Sequence, residues 1–263
     1  MFIALVATSV AGANAQKFQG GEKNLEVTFS PLSANPIGID GIRFRMFNSE
    51  SSAIRVGFNI SGAKTTEVMS QSAPSALNAT VTIPELYSTD KSFGFSLRPG
   101  YEKHFAGTDR LSPYVGAELI FAMNNTKYTE EYHSGNSATT VGEPANWSTW
   151  TIERKDGTTT FGLNAVAGAD FYFADNFYLG VELGMGFQSV KQKDAEISVS
   201  DESAYVFAIT GGGPAVNAEF NELLGIKDGK MEVLSTVGDR SGKFKNSNWG
   251  PNFQSTLRLG WLF

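Results

Sequence analysis

The chain has 263 residues, with 28 glycines, 20 phenylalanines, no cysteine and a formal net charge of −6. The absence of cysteine excludes a disulfide scaffold and thiolate chemistry, and the acidic balance argues against a nucleic-acid-binding protein, which usually carries a basic surface. No run of about 18 apolar residues follows the N-terminal segment, so the sequence predicts no membrane-spanning helix.

The first segment of the chain, MFIALVATSVAGANAQ, joins a short apolar run to Ala13-Asn14-Ala15. This tripeptide has the A-x-A pattern of a cleavage site, so we expect residues 1–15 to be a secretory signal peptide. Because a basic region is missing, we expect this signal peptide to be truncated at its start; an N-terminal strand or short anchor is the alternative. Residues 16–263 would then form the mature domain, outside the cytoplasm.

From residue 22 onwards, apolar residues return at every second position, which is the period of a β-strand with two unlike faces. In NFYLGVELGMGFQ, apolar side chains alternate with a face made mostly of glycine around Glu182. Eight stretches show this alternation: residues 24–30, 41–46, 54–60, 92–102, 114–123, 161–173, 176–188 and 253–263. No amphipathic helix of comparable strength accompanies them, so the sequence predicts an all-β protein.

Short and long connections alternate along the chain. The short turns are rich in Asn, Asp, Gly and Ser and lie at 48–51, 107–112 and 174–176. The long loops lie at about 67–91, 131–157 and 199–248, with a shorter connection at 32–40 on the same side. In an up-and-down arrangement, all short turns then fall at one end and all long loops at the other. The pattern predicts an eight-stranded antiparallel up-and-down transmembrane β-barrel with long extracellular loops.

The charged residues indicate which face of each strand points inward. Lysine is absent from the strand centres, whereas the polar face carries five arginines and five carboxylates. The planar guanidinium of arginine suits buried bidentate pairs, and the intervening glycines leave room for long side chains. We therefore predict that the apolar face meets lipid and that ion pairs close the lumen; a soluble β-barrel or sandwich is the alternative. The predicted network consists of Glu26, Arg43, Arg45, Arg55, Arg98, Glu102, Glu118, Asp170, Glu182 and Arg258.

The stretches FGLNAVAGADFYFADNFYLGVELGMGF and STLRLGWLF resemble the small outer-membrane β-barrel proteins of Gram-negative bacteria, of the OmpA/OmpX type. The resemblance covers about 22–66, 92–130, 158–198 and 249–263. It implies a bacterial outer-membrane location, with extracellular loops and periplasmic turns. The terminal aromatic residues Trp261 and Phe263 are similar to the C-terminal signal that the barrel-assembly machinery reads in that family. This machinery is therefore an implied partner during insertion.

The sequence favours binding over chemistry. Neither histidine, His104 nor His133, lies in a catalytic spacing, and no phosphate-loop or calcium-loop motif is present, so we expect no enzyme activity, cofactor or metal site. Eight strands enclose a lumen that side chains just fill, so a general pore is not favoured. The loop 199–248 carries apolar residues in a helix-like spacing that we expect either to dock on a partner or to cap the barrel: Phe220, Leu223, Leu224 and Ile226.

These observations predict a structural or accessory subunit of an outer-membrane assembly. We expect contact with outer-membrane lipid and with another outer-membrane or periplasmic protein, and none with nucleic acid. A surface adhesin or ligand-binding barrel is the alternative, followed by a small pore or a barrel enzyme.

Overall fold

The structure is a computed structural model that describes residues 18–30, 39–69, 85–136, 146–208, 224–227, 230–233 and 247–263. Its strands are β1 (Lys23–Phe29), β2 (Ile39–Ser49), β3 (Ser52–Met69), β4 (Leu86–His104), β5 (Leu111–Asn136), β6 (Asn146–Ala174), β7 (Phe177–Gln192), β8 (Glu196–Val199), β9 (Leu224–Lys227), β10 (Lys230–Val233) and β11 (Ser247–Leu262). One helix, α1 (Glu202–Phe207), follows β8. No helix of the described residues is long and apolar enough to cross a membrane.

Eight of these strands form a closed antiparallel ring. Each strand from β1 to β6 pairs with the next along the chain, and β11 pairs with both β7 and β1. Closure leaves no unpaired edge among the eight strands, which removes the exposed backbone donors and acceptors of an open sheet. The predicted all-β class and eight-stranded antiparallel architecture are confirmed.

The ring closes at a short seam between its first and last strands. The β1–β11 pairing runs from Asn24 opposite Leu262 to Phe29 opposite Leu257. Backbone hydrogen bonds between Lys23 and Phe263 extend it at the short-turn end, with N···O distances of 3.2 and 2.9 Å. The two ends of the ring therefore lie side by side.

Strand β7 shows how the two faces are used. Its apolar side chains are exposed on the outer surface, where Leu183 retains 68 % of its accessible area. The alternate positions are buried, and Glu182 retains only 2 %. A soluble protein shows the opposite distribution, because water solvates the polar face and the core takes the apolar one. The outer surface of the barrel is thus apolar and its lumen is polar.

The predicted bounds of the long loops are wrong, because the strands continue past their last apolar residues. Strand β3 extends to Met69 and β4 begins at Leu86, while β5 and β6 form a long hairpin whose pairing continues to Asn136 opposite Asn146. In this extension both faces carry mainly polar side chains, so the hydrophobic alternation disappears while the backbone ladder persists. The predicted loop 199–248 likewise contains α1, the β9–β10 hairpin and the start of β11.

The segment that follows β7 adds β8 to the edge of β6 and then packs α1 against the inner side of the β5–β6 hairpin. Strand β8 pairs with β6, with Val199 opposite Ile152, and Asp201 caps α1 by accepting a hydrogen bond from the Ala204 amide at 3.0 Å. The helix contributes to a buried cluster of Tyr132, Trp150, Ile152, Ala204, Tyr205 and Ala208. Tyr132 and Trp150 continue the inward-facing rows of β5 and β6, so α1 covers the inner side of the hairpin.

Two sequence predictions fall outside the described residues. The predicted signal peptide, residues 1–15, is one of them. The other is half of the predicted docking set, Phe220 and Leu223, whereas Leu224 and Ile226 lie in β9.

Candidate functional site

The lumen contains a continuous network of buried ion pairs with Arg55 at its centre. The Arg55 guanidinium contacts Glu102 at 2.9 Å, Glu118 at 2.6 Å and Glu182 at 2.7 Å. Since β3, β4, β5 and β7 each supply one of these four residues, one guanidinium joins four strands across the barrel. Its side chain is completely buried.

Two further arginines extend the network toward the short-turn end. Arg45 contacts Glu26 at 2.7 Å, Glu102 at 2.9 Å and Asp170 at 2.8 Å. Arg258 contacts the same Glu26 and Asp170 carboxylates, at 3.0 and 2.7 Å. The two guanidinium groups thus share two carboxylates, which links β1, β2, β6 and β11.

Arg43 completes a closed circuit of charges. It donates two hydrogen bonds to Glu182, at 3.0 and 3.2 Å, and lies 3.5 Å from Glu26. Two phenols add hydroxyl donors, with Tyr178 donating to Glu26 and Tyr114 to Glu182. Charge-assisted hydrogen bonds of this kind are the strong ones in proteins. The structure therefore brings four of the predicted arginines and all five predicted carboxylates into one network.

Arg98 stands apart, and its predicted pairing with a carboxylate is wrong. Its Nη1 donates to the Gln254 side-chain oxygen at 3.1 Å, and Gln254 in turn donates to Glu118 at 2.9 Å. The side-chain amide of Gln254 therefore bridges Arg98 and Glu118 by hydrogen bonds. The reason lies in the register, because the residue directly opposite Arg98 on β3 is Gly57. Glu118, the carboxylate that Gln254 contacts, already pairs with Arg55.

A polar cavity of about 500 Å³ lies above the network, on the side of the long loops. Its lining includes the side chains of both Arg43 and Arg98, together with Asp40, Asn59, Gln254 and Thr256. The network forms its floor, so the cavity ends inside the barrel. It could hold a small polar or anionic molecule against two guanidinium groups.

Aromatic residues close the other end of the lumen. Phe18, Phe47, Ala53, Tyr172, Tyr178 and Leu262 form a buried cluster at the short-turn end. Phe18 stacks on Phe47 with a centroid distance of 3.8 Å and an interplanar angle of 18°. A hydrophobic plug therefore lies beneath the ion pairs, and among the described residues no open channel joins the two ends.

His104 is a lumen residue that the sequence interpretation missed. Its ring is buried, with Nδ1 2.9 Å from Ser112 Oγ and Nε2 3.1 Å from Glu102 Oε2. Its position two residues after Glu102 on the same strand puts both side chains on one face, and this spacing was the available signal. Serine, histidine and a carboxylate in this order resemble a hydrolase triad. Ser112 is fully buried, however, so no substrate reaches its hydroxyl in this structure.

The second histidine lies on a strand within the predicted loop 131–157. His133 belongs to β5, where its ring is buried and Nδ1 is 3.4 Å from the Thr149 hydroxyl. Nearby, burial and the adjacent Glu130 carboxylate raise the pKa of Tyr128 to about 12. No group of three potential metal-ligating side chains occurs in the described part of the chain.

The predicted assembly signal lies on the outer surface at the short-turn end. Trp261 and Phe263 are both exposed, with ring centroids 5.4 Å apart, and Trp261 stacks on Phe177 at 6.4 Å. The arrangement leaves both side chains accessible from outside the barrel. Their recognition by assembly machinery stays a prediction.

Comparison with known proteins gives a family match and similarity to solved structures. A family model described as “Putative OmpA-OmpF-like porin family” matches residues 33–188. The crystal structure of Acinetobacter baumannii CarO is similar with a TM-score of 0.36 and 12 % sequence identity, over 94 % of this chain and 100 % of that one. No curated protein matches this chain.

Proposed function

The chain belongs to the OmpA-OmpF-like porin family, and from that premise we propose that it is a non-enzymatic barrel with a closed lumen that serves as a structural or accessory subunit. It is an OmpA/OmpX-type β-barrel of the bacterial outer membrane. In this role the protein acts through its surface and not through its lumen. Loops would be extracellular, and short turns periplasmic.

The observation that carries this proposal is the sealed lumen. The guanidinium groups of Arg45, Arg55 and Arg258 are completely buried among carboxylates, and the aromatic plug lies directly beneath them. Moving a solute through this region would require breaking several buried ion pairs at once, each costly to separate. A role in transport or in lumen chemistry is therefore less favoured than one at the ends of the barrel.

The loop end supports an interaction role because it forms packed secondary structure instead of plain connecting loops. The β5–β6 hairpin, β8 and α1 pack around Trp150 and Tyr205. This platform gives the loop end a folded surface, and the predicted docking residues follow it in the sequence. The partners we propose are outer-membrane lipid, the barrel-assembly machinery during insertion and another outer-membrane or periplasmic protein.

Co-purification from a Gram-negative host tests the accessory role. The tagged protein, extracted in mild detergent, should carry a second envelope protein in fixed ratio, and Phe220→Ser/Leu223→Ser should release it. The matched control is Ile39→Ser/Val68→Ser, which removes two exposed apolar side chains at the same end of the barrel. A complex that survives the first double variant would rule out docking by this loop, and a barrel that purifies alone would contradict the subunit role.

A ligand-binding barrel is the second candidate, and the cavity above the network favours it. Two arginines line this cavity, so an anionic ligand entering from the loop end would meet both. Arg98→Gln should then weaken binding of such a ligand without loss of the barrel. Isothermal titration with small carboxylates and phosphates separates this candidate from the first.

A further inference from the structure

Four lysines occupy one row across four neighbouring strands. Lys64 on β3 lies opposite Lys91 on β4, Lys91 lies opposite Lys127 on β5, and Lys127 lies opposite Lys155 on β6. Neighbouring strands are about 4.8 Å apart, so the four Cα atoms span about 14 Å. The four lysines are called the lysine row below.

The lysine row faces outward, immediately above the apolar belt. Side chains alternate along a strand, so Lys91 shares the outer face with Phe93, two residues away and exposed. By the same alternation, Lys155 shares the outer face with exposed Phe161, and Lys64 shares it with exposed Ile60. At about 3.4 Å per residue, Lys91 lies about 7 Å beyond Phe93 toward the loop end. This is the level at which lipid headgroups meet a barrel whose apolar belt spans the hydrocarbon.

The row lines a concave part of the outer surface. A depression of about 850 Å³ is bordered by all four lysines of the row and by Lys193, with Phe93 and Gly62 also in its lining. Lys193 Nζ lies 2.6 Å from Asn125 Oδ1, which holds it at the edge of the depression. Five lysines therefore border one site whose lining also holds the apolar side chain of Phe93 and three acidic residues, Asp156, Asp194 and Glu196.

The positive charge of the row is only half compensated. Glu153 binds two of its members, contacting Lys155 at 2.8 Å and also Lys127. These hydrogen bonds lower the pKa of Glu153 and raise that of Lys155. Lys64 and Lys91 are exposed and form no ion pair with any other described residue. Like charges directly opposite one another on a sheet are destabilising, so an external anion would relieve this repulsion.

We propose that the lysine row binds the phosphate groups of lipid headgroups in the leaflet at the loop end of the barrel. Lysine is a compact cationic donor, and basic residues near a membrane surface attract anionic headgroups. The apolar belt directly below the row provides contact for the acyl chains of the same lipid, which a soluble anion or an acidic protein would not use. This inference needs only the outer-membrane location and is independent of the accessory role.

Lipid binding by the detergent-solubilised protein tests the proposal. Native mass spectrometry of the full chain, titrated with phosphatidic acid and separately with phosphatidylcholine in micelles, gives the apparent Kd for each lipid. Phosphatidic acid should bind more tightly, and Lys64→Gln/Lys91→Gln should weaken it about 30-fold, which converts to about 2 kcal/mol for two lysines. Glu153→Gln should tighten binding about fivefold, because it frees Lys127 and Lys155.

Matched variants distinguish lipid binding by the lysine row from a general effect of positive charge and from loss of folding. Lys23→Gln/Lys103→Gln removes two exposed lysines at the short-turn end and should bind like the wild type, as should Lys91→Arg. Heat-modifiable migration on gels checks that each variant forms the barrel. Equal binding of the two lipids, no effect of the row variant, or an equal loss in the short-turn control would each overturn the proposal. Displacement by inorganic phosphate at equal phosphate concentration would assign the row to soluble anions instead.

Discussion

The lumen arginines differ in how many carboxylates would lose an ion-pair partner if the arginine were removed. Arg55 compensates three carboxylates, whereas Arg98 contacts a neutral amide at the floor of an open cavity. An unpaired charge buried in a low-dielectric interior is expensive, while a solvated one is not. The position of an arginine along the barrel axis therefore decides its contribution to stability.

We expect Arg55→Ala to lower the free energy of unfolding by about 3–5 kcal/mol, because Glu102, Glu118 and Glu182 lose a shared partner. Arg98→Ala should cost about 1 kcal/mol, the value of one hydrogen bond. Urea unfolding in detergent, followed by tryptophan fluorescence, measures both changes. Equal losses for the two variants would mean that the network does not carry the stability assigned to it.

Gly180 shows how closely the network is packed. An ideal Cβ at this position would lie 2.7 Å from both Arg258 Nη2 and Asp170 Oδ1. Gly180→Ala should therefore separate that ion pair and lower the unfolding midpoint in the same assay. A double variant that also carries Asp170→Asn should lose less than the sum of the two changes, because each disturbs the same contact.

Nine of the ten predicted charges belong to the network, so most of its membership followed from the sequence, but its pairs did not. Alternation along each strand assigns Glu26, Arg45 and Glu182 to the polar face without any knowledge of the fold. Which acid meets which arginine depends on the stagger between strands and on side-chain rotamers, neither of which alternation contains. His104 was missed because its strand continues beyond the last apolar residue that marked it.

At the scale of one element, β7 makes the assignment of faces testable. Leu183 is exposed on the outer surface, and Gly184 faces the lumen beside Gln254. Leu183→Arg should cost about 2–4 kcal/mol at the middle of the bilayer and impair assembly. Gly184→Ala requires only that the long Gln254 side chain move, so its effect should be smaller. Normal assembly of Leu183→Arg together with failure of Gly184→Ala would invert the faces.

Strand ends and the small elements of the loop end lie beyond what alternation reveals. Alternation of apolar and polar residues identifies a strand only where the two faces of the strand meet different surroundings. This condition holds within the membrane and fails in the β5–β6 extension. Helix α1 has six residues and depends on tertiary contacts of Tyr205 with Trp150. Such a short helix is not stable in isolation, so local sequence alone does not specify it.

For the whole molecule, we expect the closed lumen to conduct no ions. In planar bilayers the purified protein should give no steady conductance, since the ion pairs and the aromatic plug leave no water-filled path. Arg55→Ala/Glu182→Ala removes both signs of charge from the centre and is the variant most able to open one. Large, weakly selective channels in the wild-type protein would contradict the closed lumen and restore the pore as its function.

The seam between β1 and β11 has a mechanical consequence. Asn24 and Leu262 are paired at the same end of the ring, so tension applied to the two chain ends pulls the strands apart in the manner of a zipper. Backbone pairs then break one after another, whereas a shearing load would break them together. Once the seam has opened, β1 and β11 become free edges and peel away from β2 and β7 in turn. In single-molecule pulling, this barrel should therefore unravel from both ends in strand-sized steps at low force.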